Sequence, residues 1–407
     1  MNFYTINKII LVILIFLGMN VFTYCGINTN YAQFVIMTLG MISLYQTRNV
    51  WKFDGPYIYL LFFIFVFAGY KLITDSGEGM RFLLLAVIGT PLLIGSFQSP
   101  ERLSNLENLG FWKIVFSIVI WGFIGESGLA LYEHLQGHSV FGWVSGRVEK
   151  VSITGVAEFR STGLYGHPLY NALMVSIAMT FFLISSLKLK YKFLLWVMGF
   201  VAVLCFNARA SIAINAAVLA IFVFHSVFLN HSIKPSIKIQ ITLVGLIVFV
   251  LGAFLLMNGN FGGRLIQMGL FDDGSAQVRV DIWDVFKYYS IGDFFYGMDQ
   301  KQISMMLYVM QLSATENFWL DWLFNFGMVF LIPLSVLYFK FISKEMIGYP
   351  LFSKLLVSIS FLMIASTNNS LSSNFMALFY FLLLTRLFHP NYFELLVSEK
   401  FLDKSHF

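Results

Sequence analysis

The chain has 407 residues, 58% hydrophobic and only 12% charged, with a mean hydropathy of +0.77 and a formal net charge of +5. Soluble domains carry about 25% charged residues, so this chain cannot coat a soluble body of its size, and its hydrophobicity excludes disorder. A polytopic membrane protein remains.

A spanning helix needs about 20 predominantly apolar residues. Twelve segments meet that standard in chain order: 9–26, 30–46, 57–74, 80–97, 112–132, 167–186, 191–207, 209–230, 237–257, 317–341, 350–367 and 371–388. Breakers stand between them: Asp54-Gly55-Pro56 before the third, Pro100 after the fourth, Lys234-Pro235 before the ninth and Pro350 at the eleventh. Little more than Asn207-Ala208 separates the seventh from the eighth, which implies a tight hairpin. A single helix there would bury Arg209, at about 2.5–3.5 kcal/mol on insertion scales. No small-residue cleavage pattern follows Lys8 and the first apolar run, where Asn20, Phe22 and Tyr24 stand, so the first span is expected to stay uncleaved. Cys25 and Cys205 both fall in apolar segments, with neither a disulfide framework nor zinc spacing. Residues 1–407 therefore read as a single all-α transmembrane domain of about 12 helices.

Lys and Arg in short loops set the orientation. With the N-terminus inside, the inner loops hold Arg48 and Lys52; Arg102 and Lys113; Lys188, Lys190 and Lys192; Lys234 and Lys238; and Lys340, Lys344 and Lys354. The outer short loops hold Lys71, Arg81 and Arg209. Both termini are then expected in the cytoplasm, and the pI near 9.0 is explained by topology without a nucleic-acid partner. The two longest connections, 133–166 and 258–316, fall outside, with the turn at Arg209 and the polar hairpin Ser366-Thr367-Asn368-Asn369-Ser370. Loop-borne chemistry is therefore expected on the outer face. ATP and nucleotide sugars are cytoplasmic, so a donor used there must arrive activated and membrane-borne. No Walker-type or GxGxxG loop is present.

Four stretches on that face carry the candidate chemistry. Arg160-Ser161-Thr162-Gly163 leads through His167-Pro168 into the sixth span, and Pro168 suits a first helical turn. Arg160 would stand near a helix N-terminus that already favours anions, although an ordinary interfacial Arg fits the same pattern. Asn207-Ala208-Arg209-Ala210-Ser211 opens the eighth span. A cation kept on the outer side points to an anionic partner or to snorkelling. The large loop holds Gly262-Gly263-Arg264, then Asp272-Asp273-Gly274. An amphipathic surface helix is predicted over 277–290, where Val278, Ile282, Trp283, Phe286 and Tyr289 recur at helical spacing and Arg279 and Trp283 share one side. Finally, Glu316-Asn317 precedes a span in which Asn317, Asp321 and Asn325 form a polar stripe. Ser313-x-x-Glu316 also matches a capping box, and Asp321 could instead bond a neighbouring helix.

Arginine suits phosphate because its fork matches two oxygens and it does not deprotonate. For a lipid-linked sugar diphosphate, Arg160, Arg209 and Arg279 would stabilise the charge growing on the leaving group. The acceptor hydroxyl needs a base, for which Glu316 and Asp321 are the candidates. No acidic pair has clear metal-ligand spacing. Glu133, His134 and His138 are only a weak metal pattern, so neither a metal nor another cofactor is expected.

These residues resemble the O-antigen ligase and polymerase family of bacterial surface-polysaccharide assembly. Arg160-x-x-Gly163…His167-Pro168…Asn171-Ala172 is similar to its Arg-Gly…Asn-Ala segment, and Asn207-Ala208-Arg209-Ala210-Ser211 to its Ser-Arg-Gly/Ser segment. Arg279-x-x-x-Trp283 with Gly297 resembles its Arg…Trp…Gly segment, and Glu316-Asn317-x9-Gly327 its His-Asn/Ser/Gln-x9-Gly-x-x-Gly signature. The similarity covers roughly 150–340. Glu316 stands where ligases carry His, and Phe330 replaces the last Gly, which favours a repeat-unit polymerase over a ligase. The resemblance implies a membrane glycosyltransferase-like bundle in the bacterial inner membrane, with its active site facing the periplasm and a large periplasmic loop over the cavity. Its substrates would be undecaprenyl-diphosphate-linked oligosaccharides. Glu316 would be the catalytic base, Arg160, Arg209 and Arg279 would hold the diphosphate, and His167, Asn317, Asp321 and Arg264 would be binding or supporting residues. A chain-length regulator is an implied partner. The alternatives are a ligase acting on lipid A-core or another acceptor, and a transporter or flippase; no internal repeat of the kind transporters often show is visible.

Overall fold

The computed structural model describes residues 3–28, 106–141, 159–231, 233–258, 282–287, 290–310, 315, 317–368, 371 and 376–397, with scattered positions between 31 and 70. These residues are almost wholly helical. Helices α1 (Phe3–Tyr24), α2 (Leu106–Gln136), α3 (Pro168–Ile184), α4 (Leu189–Cys205), α5 (Arg209–Phe224) and α6 (Pro235–Asn258) come first. A π-helical turn, His225–Leu229, extends α5. After a 3-10 helix at Ile282–Lys287 come α7 (Ile291–Tyr296), α8 (Gln300–Val309), α9 (Phe318–Glu345), α10 (Leu351–Ala365), α11 (Met376–Leu387) and α12 (Pro390–Leu396).

Among the described residues, four helical stretches are long and apolar enough to cross a membrane: Leu109–Gln136, Arg209–Leu229, Pro235–Leu255 and Phe318–Glu345. Shorter apolar helices, among them Pro168–Ile184 and Met376–Leu387, fill the space between. Those two are the centre. Nearly every residue of α3 and all of α11 are buried, as expected of helices apolar on every side. Helices α2, α4, α5, α10 and α11 pack around α3, and α1 lies against α2. Phe181, Phe182, Phe381 and Phe388 interlock at this centre, with Phe181 and Phe388 stacked at 5.9 Å.

The expected spans 112–132, 167–186, 191–207, 209–230, 237–257 and 317–341 each correspond to a helix, within a few residues. The span 80–97 lies outside the described residues, and 30–46 and 57–74 are described only at scattered positions. Of the amphipathic helix predicted over 277–290, residues 282–287 and 290 are described; 282–287 form a 3-10 helix instead, and Ser290 caps α7. Ile282 and Val285 are its buried residues. That i, i+3 pair matches a helix of three residues per turn, where such side chains eclipse. They join Met298, Ile303, Leu320 and Phe324 in a small second core that seats the loop on the start of α9.

The ends of the bundle are distinct. Ile184, Leu189, His225, Pro350 and Phe388 line one cavity, so the end of α3, the start of α4, the end of α5, the start of α10 and the end of α11 share one face. The start of α3, the α4–α5 turn, the start of α9 and the end of α10 are consequently at the opposite face.

Candidate functional site

The opposite face is organised around residues 159–167. Backbone turns here rely on Gly163 (φ 52°) and Gly166 (φ 79°), in the left-handed region that favours glycine. Two carboxyl groups on α2, Glu126 and Glu133, sit two turns apart on one side of the helix and support the loop from beneath. Glu133 is fully buried. Its Oε2 accepts from the N–H of Thr162 at 2.8 Å and of Gly163 at 3.0 Å. Its Oε1 accepts from the N–H of Val140 at 2.9 Å and the hydroxyl of Ser139 at 3.2 Å. Glu126 Oε2 accepts from the N–H of Leu164 at 2.8 Å, while its buried Oε1 has no hydrogen-bond partner among the described residues.

From the other side, Asn171 in the first turn of α3 accepts from the N–H of Tyr165 at 3.0 Å and donates to the carbonyl of Thr162. Asn20 on α1 donates to the carbonyl of Gly163 at 2.8 Å, and its N–H donates to Leu164 O at 3.0 Å. That approach needs a break in α1 at Gly18 (φ 72°), where a Cβ would strike the carbonyl of Leu164. The loop is thus fastened to three helices, and every backbone N–H from Ser161 to Gly166 has an acceptor.

This fastening places Arg160 against the α4–α5 turn. Ser161 N–H donates to Cys205 O at 3.2 Å, and Arg160 Nε donates to Phe206 O at 3.2 Å. Asn207 makes the turn with φ 52°, a conformation Asn tolerates better than most residues. Arg209 then opens α5, whose N-cap Ala208 makes no side-chain cap. Arg160 and Arg209 therefore come from distant stretches to one turn. His167 occupies the N-cap position of α3 but is exposed and makes no capping hydrogen bond.

The start of α9 is a second polar cluster at the same face. Asn317 is the N-cap, accepting from Trp319 N–H at 2.9 Å. The polar hairpin expected at 366–370 meets it: Phe318 N–H donates to Asn368 O at 3.1 Å, and Trp319 Nε1 to Ser366 Oγ at 2.8 Å. Along the stripe, Asn325 Nδ2 donates to Asp321 O at 2.7 Å and faces its Oδ1 at 3.4 Å. Just beyond, Gly327 (φ 62°) breaks α9, and Gly297 (φ 78°), which ends α7, packs onto the break. A Cβ on either glycine would strike the other segment's backbone. Trp283 is exposed and stacks on Phe286 at 5.8 Å.

Arg264, Arg279 and Glu316 lie outside the described residues. Glu126 and Asn20 were missed in the sequence, and Glu133 was weighed only as a weak metal ligand. Two carboxyls seven residues apart in an apolar helix were the available signal. Among the described residues no three His, Cys, Asp or Glu side chains group as metal ligands, and Glu133 is occupied by four protein donors. No protein-family model matches the chain, and no curated protein does. The geometry shows an all-helical, membrane-type bundle with arginine-bearing segments joined at one face and a lysine-rich opposite face.

Proposed function

We propose that the chain polymerises lipid-linked oligosaccharide repeat units. It transfers the growing glycan from undecaprenyl diphosphate to an acceptor sugar hydroxyl on another undecaprenyl-diphosphate-linked repeat. In this reading the membrane is the bacterial inner membrane, the lysine-rich face and both termini are cytoplasmic, and the Arg160–Arg209 face is periplasmic.

The observation that carries the reading is the Arg160 Nε to Phe206 O bond, which unites two arginine-bearing segments at one helix N-terminus. Backbone N–H groups at the start of α5, its dipole and two guanidinium groups all favour a multiply charged anion. In the reaction, the bond from the sugar's anomeric carbon to the diphosphate oxygen breaks, and its electron pair stays on the diphosphate. The acceptor oxygen bonds the anomeric carbon and yields its proton to a carboxylate. Glu316, immediately before the N-cap of α9, is the proposed base; Asp321, one turn inside α9, is the second carboxyl at that mouth. Arg279 joins the phosphate-binding set, and His167, Asn317 and Arg264 support the sugar or the loop. The catalytic contribution is electrostatic, aimed at charge that grows in the transition state and supplied without a metal. A chain-length regulator acts as its partner.

Polymer-length profiles of cells carrying Arg160→Ala, Arg209→Ala, Arg279→Ala or Glu316→Ala test this. Each is expected to abolish polymer at normal membrane abundance, leaving single repeats on the surface lipid. Normal polymer in all four would refute the site. Long chains stranded on undecaprenyl diphosphate after deletion would indicate a ligase, and transport without glycosyl transfer in reconstituted vesicles a flippase.

A further inference from the structure

The face opposite Arg160 and Arg209 holds a cavity of 230 Å³. One water needs only about 10–15 Å³ on the same measure, so a group of several heavy atoms fits. Four features of its wall bear on the nature of that group. Lys192, in the first turn of α4, lines the cavity although it is more than nine-tenths buried. Lysine is rarely buried so deeply. The wall adds Ser226, Asn230, Ser353 and the imidazole of His225, and no Asp or Glu among the described residues. The N-termini of two long helices, α4 and α10, open onto it through Leu189 and Pro350, and neither has a side-chain cap. First-turn N–H groups left this way are donors for an anion.

The fourth feature is the π-helical turn. Asn230 N–H donates to His225 O at 2.8 Å, an i to i+5 bond that widens the end of α5 where His225 and Ser226 meet the cavity. Such turns concentrate at functional sites. His225 is itself fixed by stacking on Phe352, with rings 3.5 Å apart and 7° from parallel. Lys188, Lys190, Lys234, Lys238 and Lys354 surround the same face and raise the local concentration of anions.

We infer that this cavity binds a phosphate group through the ammonium of Lys192 and the N-termini of α4 and α10. The group comes either from the headgroup of an anionic phospholipid or from a soluble phosphate ester. The inference is independent of the proposed transfer reaction, whose residues lie at the opposite face.

Thermal unfolding of the purified full-length protein in detergent tests it, with titrations of dioleoylphosphatidylglycerol, dioleoylglycerol, glycerol 3-phosphate and inorganic phosphate. Phosphatidylglycerol is expected to raise the unfolding temperature of the wild type, and dioleoylglycerol, which lacks the phosphate, is not. Equal stabilisation by glycerol 3-phosphate or inorganic phosphate assigns a soluble ligand; stabilisation by phosphatidylglycerol alone assigns a lipid headgroup. Lys192→Gln is expected to weaken binding about tenfold or more. Lys301→Gln, which removes an exposed lysine of α8 outside this cavity's wall, leaves it unchanged. Ser353→Leu fills the cavity while keeping Lys192, and is expected to reproduce the loss. No stabilisation by any phosphate compound overturns the inference, as does equal binding by wild type, Lys192→Gln and Ser353→Leu.

Discussion

Glu133→Leu is the sharpest test of how residues 159–167 are held. The substitution keeps a side chain of similar size but removes both acceptor oxygens. Each carboxyl oxygen of Glu133 receives two donors: Thr162 and Gly163 N–H on Oε2, Val140 N–H and Ser139 Oγ on Oε1. The site is fully buried, so water does not replace the lost oxygens. The two loop donors, Thr162 and Gly163 N–H, lose their acceptor, at about 1–3 kcal/mol each, for a total of about 2–6 kcal/mol. The cost falls on the loop carrying Arg160, so local opening is expected to rise by about thirtyfold or more, since about 1.4 kcal/mol is a factor of ten. Hydrogen exchange of the 159–167 backbone, followed by mass spectrometry in detergent, reads this directly, with the ends of α3 and α4 as internal references. Polymer length is expected to fall with it. Wild-type exchange in Glu133→Leu would refute the assignment of Glu133 as the loop's anchor.

Three further outcomes follow from the packing. Asn171→Leu removes the acceptor for Tyr165 N–H and the donor to Thr162 O at a buried site, and is expected to cost about 2–4 kcal/mol in thermal or denaturant unfolding. Gly327→Ala forces a side chain into the backbone of residues 295–297 at a positive φ; proteolytic cleavage of the 282–310 segment is expected to accelerate while unfolding of the α3–α11 centre stays unchanged. At the opposite face, Arg386 and Glu345 pair through two bonds of 2.6 and 2.7 Å, partly buried. Arg386→Met is expected to cost about 3–5 kcal/mol, and the double change with Glu345→Met to recover most of it, as a double-mutant cycle would show.

The apolar spans were legible because membrane helices announce themselves by length and hydropathy, and the tight turn at Asn207-Ala208 by the cost of burying Arg209. The helix breaks were not. Gly18 and Gly327 lie inside apolar spans, each two residues from an Asn, where a lone glycine reads as a tolerated weakness. What breaks each helix is another backbone: Leu164 O against Gly18, and the 295–297 segment against Gly327. The glutamates of α2 were overlooked for a related reason. Their value lies in the loop they hold, and Glu133 is 29 residues from Thr162. The 3-10 helix was hidden because the i, i+3 pair Ile282 and Val285 is compatible with both helix types until the packing of the loop on α9 selects one.

The four sequence fragments behind the functional reading now pair by backbone contact, the first with the second and Gly297 of the third with Gly327 of the fourth. Packing accounts for the glycines, and position 209 raises a separate question of charge. A positive charge at a helix N-terminus opposes the dipole, at about 0.3–1 kcal/mol, and an uncapped N-terminus would be better served by Ser or Asp. Arg209 is the first residue of α5 behind an uncapped Ala208, so on grounds of helix stability it is an adverse choice. Sites where a local rule is broken are where function is expected. Arg209→Ser is accordingly expected to unfold at or above the wild-type temperature while losing polymer formation. Lower stability with polymer length retained would make Arg209 a structural residue and remove the anion argument from the α4–α5 turn.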